Sequence, residues 1–358
     1  MQPSSQIYTT NSIQSTFSVK DALALVSEGI SLSREQARAA MEGIMTGAAT
    51  PAQIGGFLLA LRMKGETVEE ITGFAETMRS FAGTVGTARE HLLDTCGTGG
   101  SGIHKFNIST ASALIAASAS VRVAKHGNRS ASGRAGSADV LEALGVNIGI
   151  NGTQAAECLD RIGICFLFAQ TYHPSMKHAA APRRELGVRT VFNLLGPLTN
   201  PAGADRQLLG LYDASRTGQI ASVLGNLGAK RAMVVAGLDG LDEISVSGPT
   251  RVSELKNGAV HTYEITPEEL GLECHSLESI LGGDAADNAR IVRGVLSGER
   301  GARRDIVLAN AGACIYTAGA AQDLAEGVRK AADIVDSGQA LSKLEQLIQT
   351  TEECGYVS

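Results

Sequence analysis

Between Ser18 and Phe81 the apolar positions recur every three or four residues, as in Ile54, Phe57, Leu58 and Leu61, and again in Ile71, Phe74 and Met78. That period lays one apolar stripe along each of several helices. Three helix starts are marked by Ser33 with Gln36, Thr50 with Gln53, and Thr67 with Glu70. In each pair a capping hydroxyl precedes by three residues a side chain able to return to the cap's own N–H. No strand pattern interrupts this stretch, which predicts a helical unit. After Gly83 short runs rich in Val, Ile and Leu alternate with helical segments, at 91–96, 121–125, 164–169, 207–212 and 231–237. Such runs, apolar on both faces, predict a mostly parallel sheet. An extended pair over 251–265 turns at Lys256, Asn257 and Gly258, and the chain from Pro267 onward reads as helices. The expected class is α/β: a small all-helical domain, a large α/β domain with a mostly parallel central sheet, and a C-terminal helical cluster.

Composition narrows the functional classes. Of 358 residues, 44% are hydrophobic and 19% charged, which excludes a disordered chain. With 31 Lys and Arg against 37 Asp and Glu the net charge is −6, giving no general attraction to nucleic acid or an anionic membrane. An anionic ligand would have to be held by local geometry. The 42 glycines point to tight turns and close backbone approach. Cys96, Cys158, Cys165, Cys274, Cys314 and Cys354 lack zinc or redox spacing, so free thiols in the cytoplasm are expected. Residues 1–17 are polar, lack a signal-peptide pattern and read as a flexible tail. No apolar run reaches the roughly 18 residues of a membrane span, since Ala113 to Ala119 is soon followed by Arg122.

In open α/β sheets ligands sit beyond the carboxyl ends of strands, and there the sequence is unusual. The first strand runs into Gly97, Thr98, Gly99, Gly100, Ser101 and Gly102, then into Asn107, Ile108, Ser109 and Thr110 at a helix start. Glycines let amides converge on an anion, and a helix N-terminus favours negative charge. The segment lacks the Gly-Lys-Ser/Thr of a P-loop. Its literal Gly-x-Gly-x-x-Gly is followed by a strand ending in Lys125 and His126 rather than an acidic residue, which weakens a dinucleotide reading.

The second strand leads into Lys125, His126, Gly127, Asn128, Arg129, Ser130, Ala131, Ser132, Gly133 and Arg134, then Gly136 and Ser137. Basic groups interleaved with small donors suit several phosphate oxygens, whereas the bland alternative is a solvated turn capped by Ser137. Asp242 and Glu243, past the strand at 231–237, suit a hard, partly hydrated Mg²⁺, or else form an ordinary exposed pair. His173 and Pro174 precede Arg183 and Arg184, where an arginine could read a carboxylate or simply line a solvated helix face.

Taken together, Gly97 to Gly100, Asn107 to Thr110, Lys125 to Arg129, Gly136 to Asp139 with Leu141 to Gly145, His173-Pro174, Arg189 to Pro201 and Asp242-Glu243 resemble, in order and spacing, the anthranilate phosphoribosyltransferases of tryptophan biosynthesis. The resemblance covers roughly residues 19–350. It implies the fold shared with pyrimidine-nucleoside phosphorylases, a hinge site and a homodimer. The helical domain would be 18–86, completed by about 174–201, with 87–173 and 202–358 forming the phosphoribosyl-pyrophosphate-binding domain.

By the same resemblance, Gly97, Gly100, Ser101, Lys105, Asn107 to Thr110, Lys125 to Gly133 and Ser137 bind phosphoribosyl pyrophosphate. Gly97, Asn128, His173 and Arg183 contact anthranilate, and Ser109, Asp242 and Glu243 hold Mg²⁺. His126 is the nearest candidate for a general base. Two departures stand out: Ser101 occupies a position where the family usually carries Asp, and His104-Lys105 replaces small or polar residues. The implied reaction joins the amine of anthranilate to C1 of phosphoribosyl pyrophosphate, with no nucleic-acid or membrane partner. A nucleoside phosphorylase on the same fold has no use for a carboxylate-reading Arg183 with a neutral pyrimidine. A nucleic-acid-binding relative would need a basic stripe and stacking aromatics, but aromatics are only 4% here.

Overall fold

The computed structural model describes residues 17–130 and 134–356. The tail expected over 1–17 lies outside them except for Phe17, which packs against the helical core. Four helices come first, α1 (Val19–Ser27), α2 (Arg34–Met45), α3 (Pro51–Lys64) and α4 (Val68–Ser80). All three anticipated capping boxes form, at Ser33, Thr50 and Thr67. Glu70 does more than close its box. Fully buried, it also accepts the Leu32 N–H at 2.9 Å and pairs with Lys64 at 2.9 Å, tying the entry of α2 to α4.

The remaining chain alternates β1 (Leu92–Gly97), α5 (Ile108–Ser118), β2 (Arg122–Gly127), α6 (Ser137–Ala143), α7 (Gly152–Ile162), β3 (Ile164–Phe168) and α8 (Ala169–Tyr172). It continues through α9 (Lys177–Leu186), α10 (Phe192–Leu195), β4 (Arg206–Gly210), α11 (Thr217–Asn226), β5 (Arg231–Gly237), β6 (Thr250–Lys256) and β7 (Ala259–Ile265). It ends in α12 (Ala285–Leu296), α13 (Ala302–Thr317), α14 (Leu324–Asp336) and α15 (Gln339–Tyr356). The sheet order is β3-β2-β1-β4-β5-β6-β7, with β1 to β5 parallel and β6 and β7 antiparallel. The predicted turn joins β6 to β7, with Asn257 and Gly258 at φ 54° and 78°, the double left-handed turn that matches strand twist.

Alternation along the strands sorts the core into layers. Leu93, Val123, Leu208, Met233 and Val235 face α5, α13 and α14, whereas Leu209, Ala232, Val234 and Ala236 face α11. The second layer is continuous with the apolar stripes of α1 to α4, and Ala179, Phe192, Leu194 and Leu195 from α9 and α10 join it. The 174–201 segment therefore packs on the first four helices despite lying about a hundred residues away in the chain.

Candidate active site

Strand order reverses between β1 and β4, the switch point at which open α/β sheets leave a crevice. Gly97 and Gly210 stand side by side there, at the carboxyl ends of the two strands. A Cβ on Gly210 would lie 1.9 Å from the Asp242 carbonyl, and one on Gly97 2.5 Å from Asp242 Oδ2. Only glycines let the loop after β5 press against both strand ends, where Gly99 N–H donates to Asp242 Oδ2 at 2.8 Å. Asp239 steadies that loop by accepting the Leu241 N–H at 3.1 Å and the Ser245 and Ser247 hydroxyls. From α13, Asn310 clamps the backbone N–H and C=O of Ile244. No sequence signal had singled out Asn310 or Asp239, because each acts on backbone brought close only by the fold.

Asp242 and Glu243 are 1% and 4% exposed, which removes the reading of a solvated acidic pair. Burial raises the Glu243 carboxyl above its ordinary range, with the Lys105 ammonium opposing. Lys105 Nζ lies 3.2 Å from Asp242 Oδ1 and 2.5 Å from Glu243 Oε1. Asp242 Oδ1 still lacks an aligned hydrogen bond, since the ammonium approaches it off axis. Two buried carboxylates with an unsatisfied oxygen fit a hard divalent cation. No third Asp, Glu, His or Cys joins them among the described residues, so other ligands would come from substrate, water or hydroxyls. Ser109 sits elsewhere in the network, its Oγ accepting from Lys125 Nζ at 3.1 Å.

The expected phosphate-binding loops converge on this corner, with corrections. Asn107 precedes α5 but makes no side-chain cap; its carboxamide bridges Ala135 and Asn288 instead. Lys125 is buried, donating to the Thr95 carbonyl at 2.6 Å, and burial lowers its pKa. Asp94 lies beneath it, accepting the His126 N–H at 3.0 Å, and burial lifts its carboxyl to about 6. Arg129 does not point freely toward a ligand: it pairs with Asp139 and Glu142 of α6. Gly136, rather than Ser137, caps that helix, because Asp139 accepts the N–H groups of Gly136 and Ser130 at 2.8 and 3.2 Å. Asn128 is exposed and Ser130 half-buried, and Ala131, Ser132 and Gly133 lie outside the described residues. Lys105, expected to attract the substrate anion, is instead committed to the acidic pair.

His126 and His173 meet with ring centroids 5.1 Å apart. Burial, reinforced by His173, drives the His126 pKa down to about 3, and burial also lowers that of His173. Both rings are therefore neutral at pH 7, and His126 is a weak proton acceptor. Their Nε2 atoms, Thr110 Oγ1 and Asp242 Oδ1 are buried without hydrogen-bond partners, which leaves each free to bond to a substrate group. On α9, Arg184 is exposed, as the reading of a solvated helix face held, and so is Glu185 beside it. Arg183 is half-buried over the Phe192 ring at 4.9 Å and forms no ion pair among the described residues. Arg189 lies 4.2 Å over Tyr212 and donates to the Gly100 carbonyl, so the 174–201 segment reaches the glycine loop directly.

A helical unit set against an α/β domain with this corner defines a glycosyl transferase class. Its helical bundle domain matches residues 20–82, and its a/b domain residues 89–341. Among similar proteins, the anthranilate phosphoribosyltransferase of Brevibacillus brevis is 55% identical over 326 residues, covering 91% of this chain and 96% of that one. The crystal structure of the Thermus thermophilus anthranilate phosphoribosyltransferase superposes with a TM-score of 0.88 at 44% identity, covering 93% of this chain and 99% of that one. The solved structure of anthranilate phosphoribosyltransferase from Saccharomyces cerevisiae in complex with PRPP and Mg gives 0.83 at 27% identity, covering 93% of this chain and 98% of that one. The chain belongs to the anthranilate phosphoribosyltransferase family.

Proposed function

We propose that the chain transfers the phosphoribosyl group of phosphoribosyl pyrophosphate to the amine of anthranilate, releasing pyrophosphate, and that it does so at the corner formed by Gly97, Lys125 and the Asp242-Glu243 pair. The observation that carries this reading is the burial of two carboxylates against a glycine loop beside a helix N-terminus, an arrangement suited to a metal-bound polyphosphate. Mg²⁺, held by Asp242 and Glu243 with further oxygens from substrate or water, would neutralise charge on the departing pyrophosphate. Lys125 and the first-turn amides of α5 orient the phosphates. Arg183, freed from ion pairing, takes the carboxylate of anthranilate, and Asn128, His126 and His173 line its approach. The anthranilate nitrogen then forms its bond to C1 as the bond from C1 to the pyrophosphate oxygen breaks. The electron pair leaves with pyrophosphate, and the proton of the attacking nitrogen passes to water or the leaving group. With its pKa near 3, the His126 imidazole shapes the pocket rather than accepting that proton.

We further take the site to lie in a hinge between 18–86 with 174–201 and the rest of the chain. The enzyme would be a cytoplasmic homodimer without nucleic-acid or membrane partners. The net charge of −6 supports the exclusion of nucleic acid. No helix is long and apolar enough to cross a membrane among the described residues. The test is direct: anthranilate fluorescence should decay when phosphoribosyl pyrophosphate and Mg²⁺ are added, and a signal that stays constant with all components present refutes the assignment.

A further inference from the structure

Lys105 lies between the glycine loop and α5, and its ammonium is the cation paired with both carboxylates of the acidic pair. The ammonium lies 3.2 Å from Asp242 Oδ1 and 2.5 Å from Glu243 Oε1, and the three side chains are 15%, 2% and 5% exposed. Its backbone is fixed from outside the glycine loop: Lys105 bridges Leu281, and the neighbouring His104 carbonyl accepts the Gly282 N–H at 2.8 Å. The ammonium is thus aimed at the carboxylates by a braced segment.

We propose that Lys105 is a resident counter-cation for Asp242 and Glu243, holding the acidic pair in the absence of metal and yielding its place when a divalent ion enters. The inference rests on the reading of these carboxylates as metal ligands. Two carboxylates this close and this buried repel one another and lose hydration, so without a cation the loop after β5 would be destabilised. A tethered ammonium supplies one positive charge at no translational cost. A divalent ion supplies two and prefers several oxygen ligands, so it can win the site, but only after the ammonium moves away. The consequence is a metal site that stays folded when empty and binds its first ion weakly until phosphoribosyl pyrophosphate adds further oxygens.

The test is Mn²⁺ binding to the full chain, followed by electron paramagnetic resonance with and without phosphoribosyl pyrophosphate. Lys105→Met should bind Mn²⁺ at least about tenfold more tightly than the parent in the absence of substrate. Lys105→Arg should stay near the parent. Adding Asp242→Asn and Glu243→Gln to Lys105→Met should abolish the gain. Equal affinity in the parent and Lys105→Met overturns the proposal and leaves the carboxylate reading in place. Absence of binding in every form, with or without substrate, overturns both. Because Lys105→Met uncovers two buried charges and can fail to fold, a second measurement uses the parent chain with ¹³Cε-labelled lysine. The Lys105 signal, assigned through Lys105→Arg, should shift as Mg²⁺ is added, and a signal unmoved at saturating Mg²⁺ overturns the displacement.

Discussion

Asn310 reads both backbone polar groups of Ile244: its Oδ1 accepts the Ile244 N–H at 2.9 Å and its Nδ2 donates to the Ile244 carbonyl at 2.9 Å. All the partners are buried, so this carboxamide from α13 fixes the position of Glu243, one residue earlier. Asn310→Leu leaves the Ile244 N–H and C=O unsatisfied, which costs about 1–3 kcal/mol for each buried group left without a partner. With two such groups, urea unfolding should show a loss of about 2–6 kcal/mol. Activity should also need more Mg²⁺, because the carboxylate loses its brace. A variant that is destabilised yet has an unchanged Mg²⁺ requirement would show that Asn310 serves the fold alone.

Arg183 stacks on Phe192 and has no carboxylate partner among the described residues, so its charge is available to substrate. Arg183→Ala should raise KM for anthranilate far more than that for phosphoribosyl pyrophosphate. The expected loss is about 1.5–3 kcal/mol, as for a hydrogen bond to a charged group. Equal effects on both substrates would take Arg183 out of the anthranilate pocket.

The contrast between Arg183 and Arg129 shows where sequence reading works and where it stops. Helix starts, strand runs and the Asn257-Gly258 turn were legible because each depends on neighbours in the chain. Gly97, Lys125 and Asp242 were singled out because they follow or end strands, and Gly97 and Asp242 do meet at the strand ends. The partners of a long side chain depend on what folding brings near it. Arg129, in a basic loop, is captured by Asp139 and Glu142 only ten and thirteen residues on. Arg183, followed by Arg184 and Glu185, has no ion-pair partner among the described residues. The burial of Asp242 and Glu243 was equally illegible, since it depends on the glycines at 97 and 210 letting a distant loop close over the sheet.

Replacing both Asp242 and Glu243, as Asp242→Asn with Glu243→Gln, preserves shape and removes the charge a hard cation needs. Activity should fall and demand far more Mg²⁺. Folding should survive, although Lys105 is left as an unpaired buried ammonium. Steady-state rates across a Mg²⁺ titration, set beside a thermal melt, separate the two effects. An unchanged Mg²⁺ dependence would remove the metal role.

The buried neutral imidazole of His126 makes stability depend on pH with a definite sign. Its pKa is near 6.5 in the unfolded chain and about 3 in the fold, so the unfolded state binds the extra proton between those values. Stability is therefore lost as pH falls below 6.5, by about 2 kcal/mol at pH 5 from this group. Asp94 acts in the opposite direction. Its pKa is raised to about 6, so the folded state binds the extra proton between about 3.8 and 6, partly offsetting the loss. His126→Gln keeps the backbone N–H that Asp94 accepts and removes only the titrating ring. The variant should lose less stability than the parent between pH 7.5 and pH 5. Parallel urea unfolding curves at both values would contradict the assignment.

Ser101 lies in the glycine loop between Gly100 and Gly102, both with positive φ, and its hydroxyl accepts the Ile103 N–H at 3.3 Å. Two residues earlier, the Gly99 amide is bonded to Asp242, so a carboxylate at position 101 would join the same charged corner. Asp there would help to hold a metal ion or its water shell, and would repel pyrophosphate when metal is scarce; Ser keeps a polar group and removes the charge. Lys105 sharpens the difference, since its single positive charge already faces two carboxylates and a third would leave the corner more negative. Ser101→Asp should therefore weaken binding of phosphoribosyl pyrophosphate at low Mg²⁺ and make activity rise more steeply as Mg²⁺ is added. The measurement is KM for phosphoribosyl pyrophosphate across a Mg²⁺ titration in both forms. Curves that superimpose would mean that position 101 does not sense the metal and that the serine is a neutral exchange.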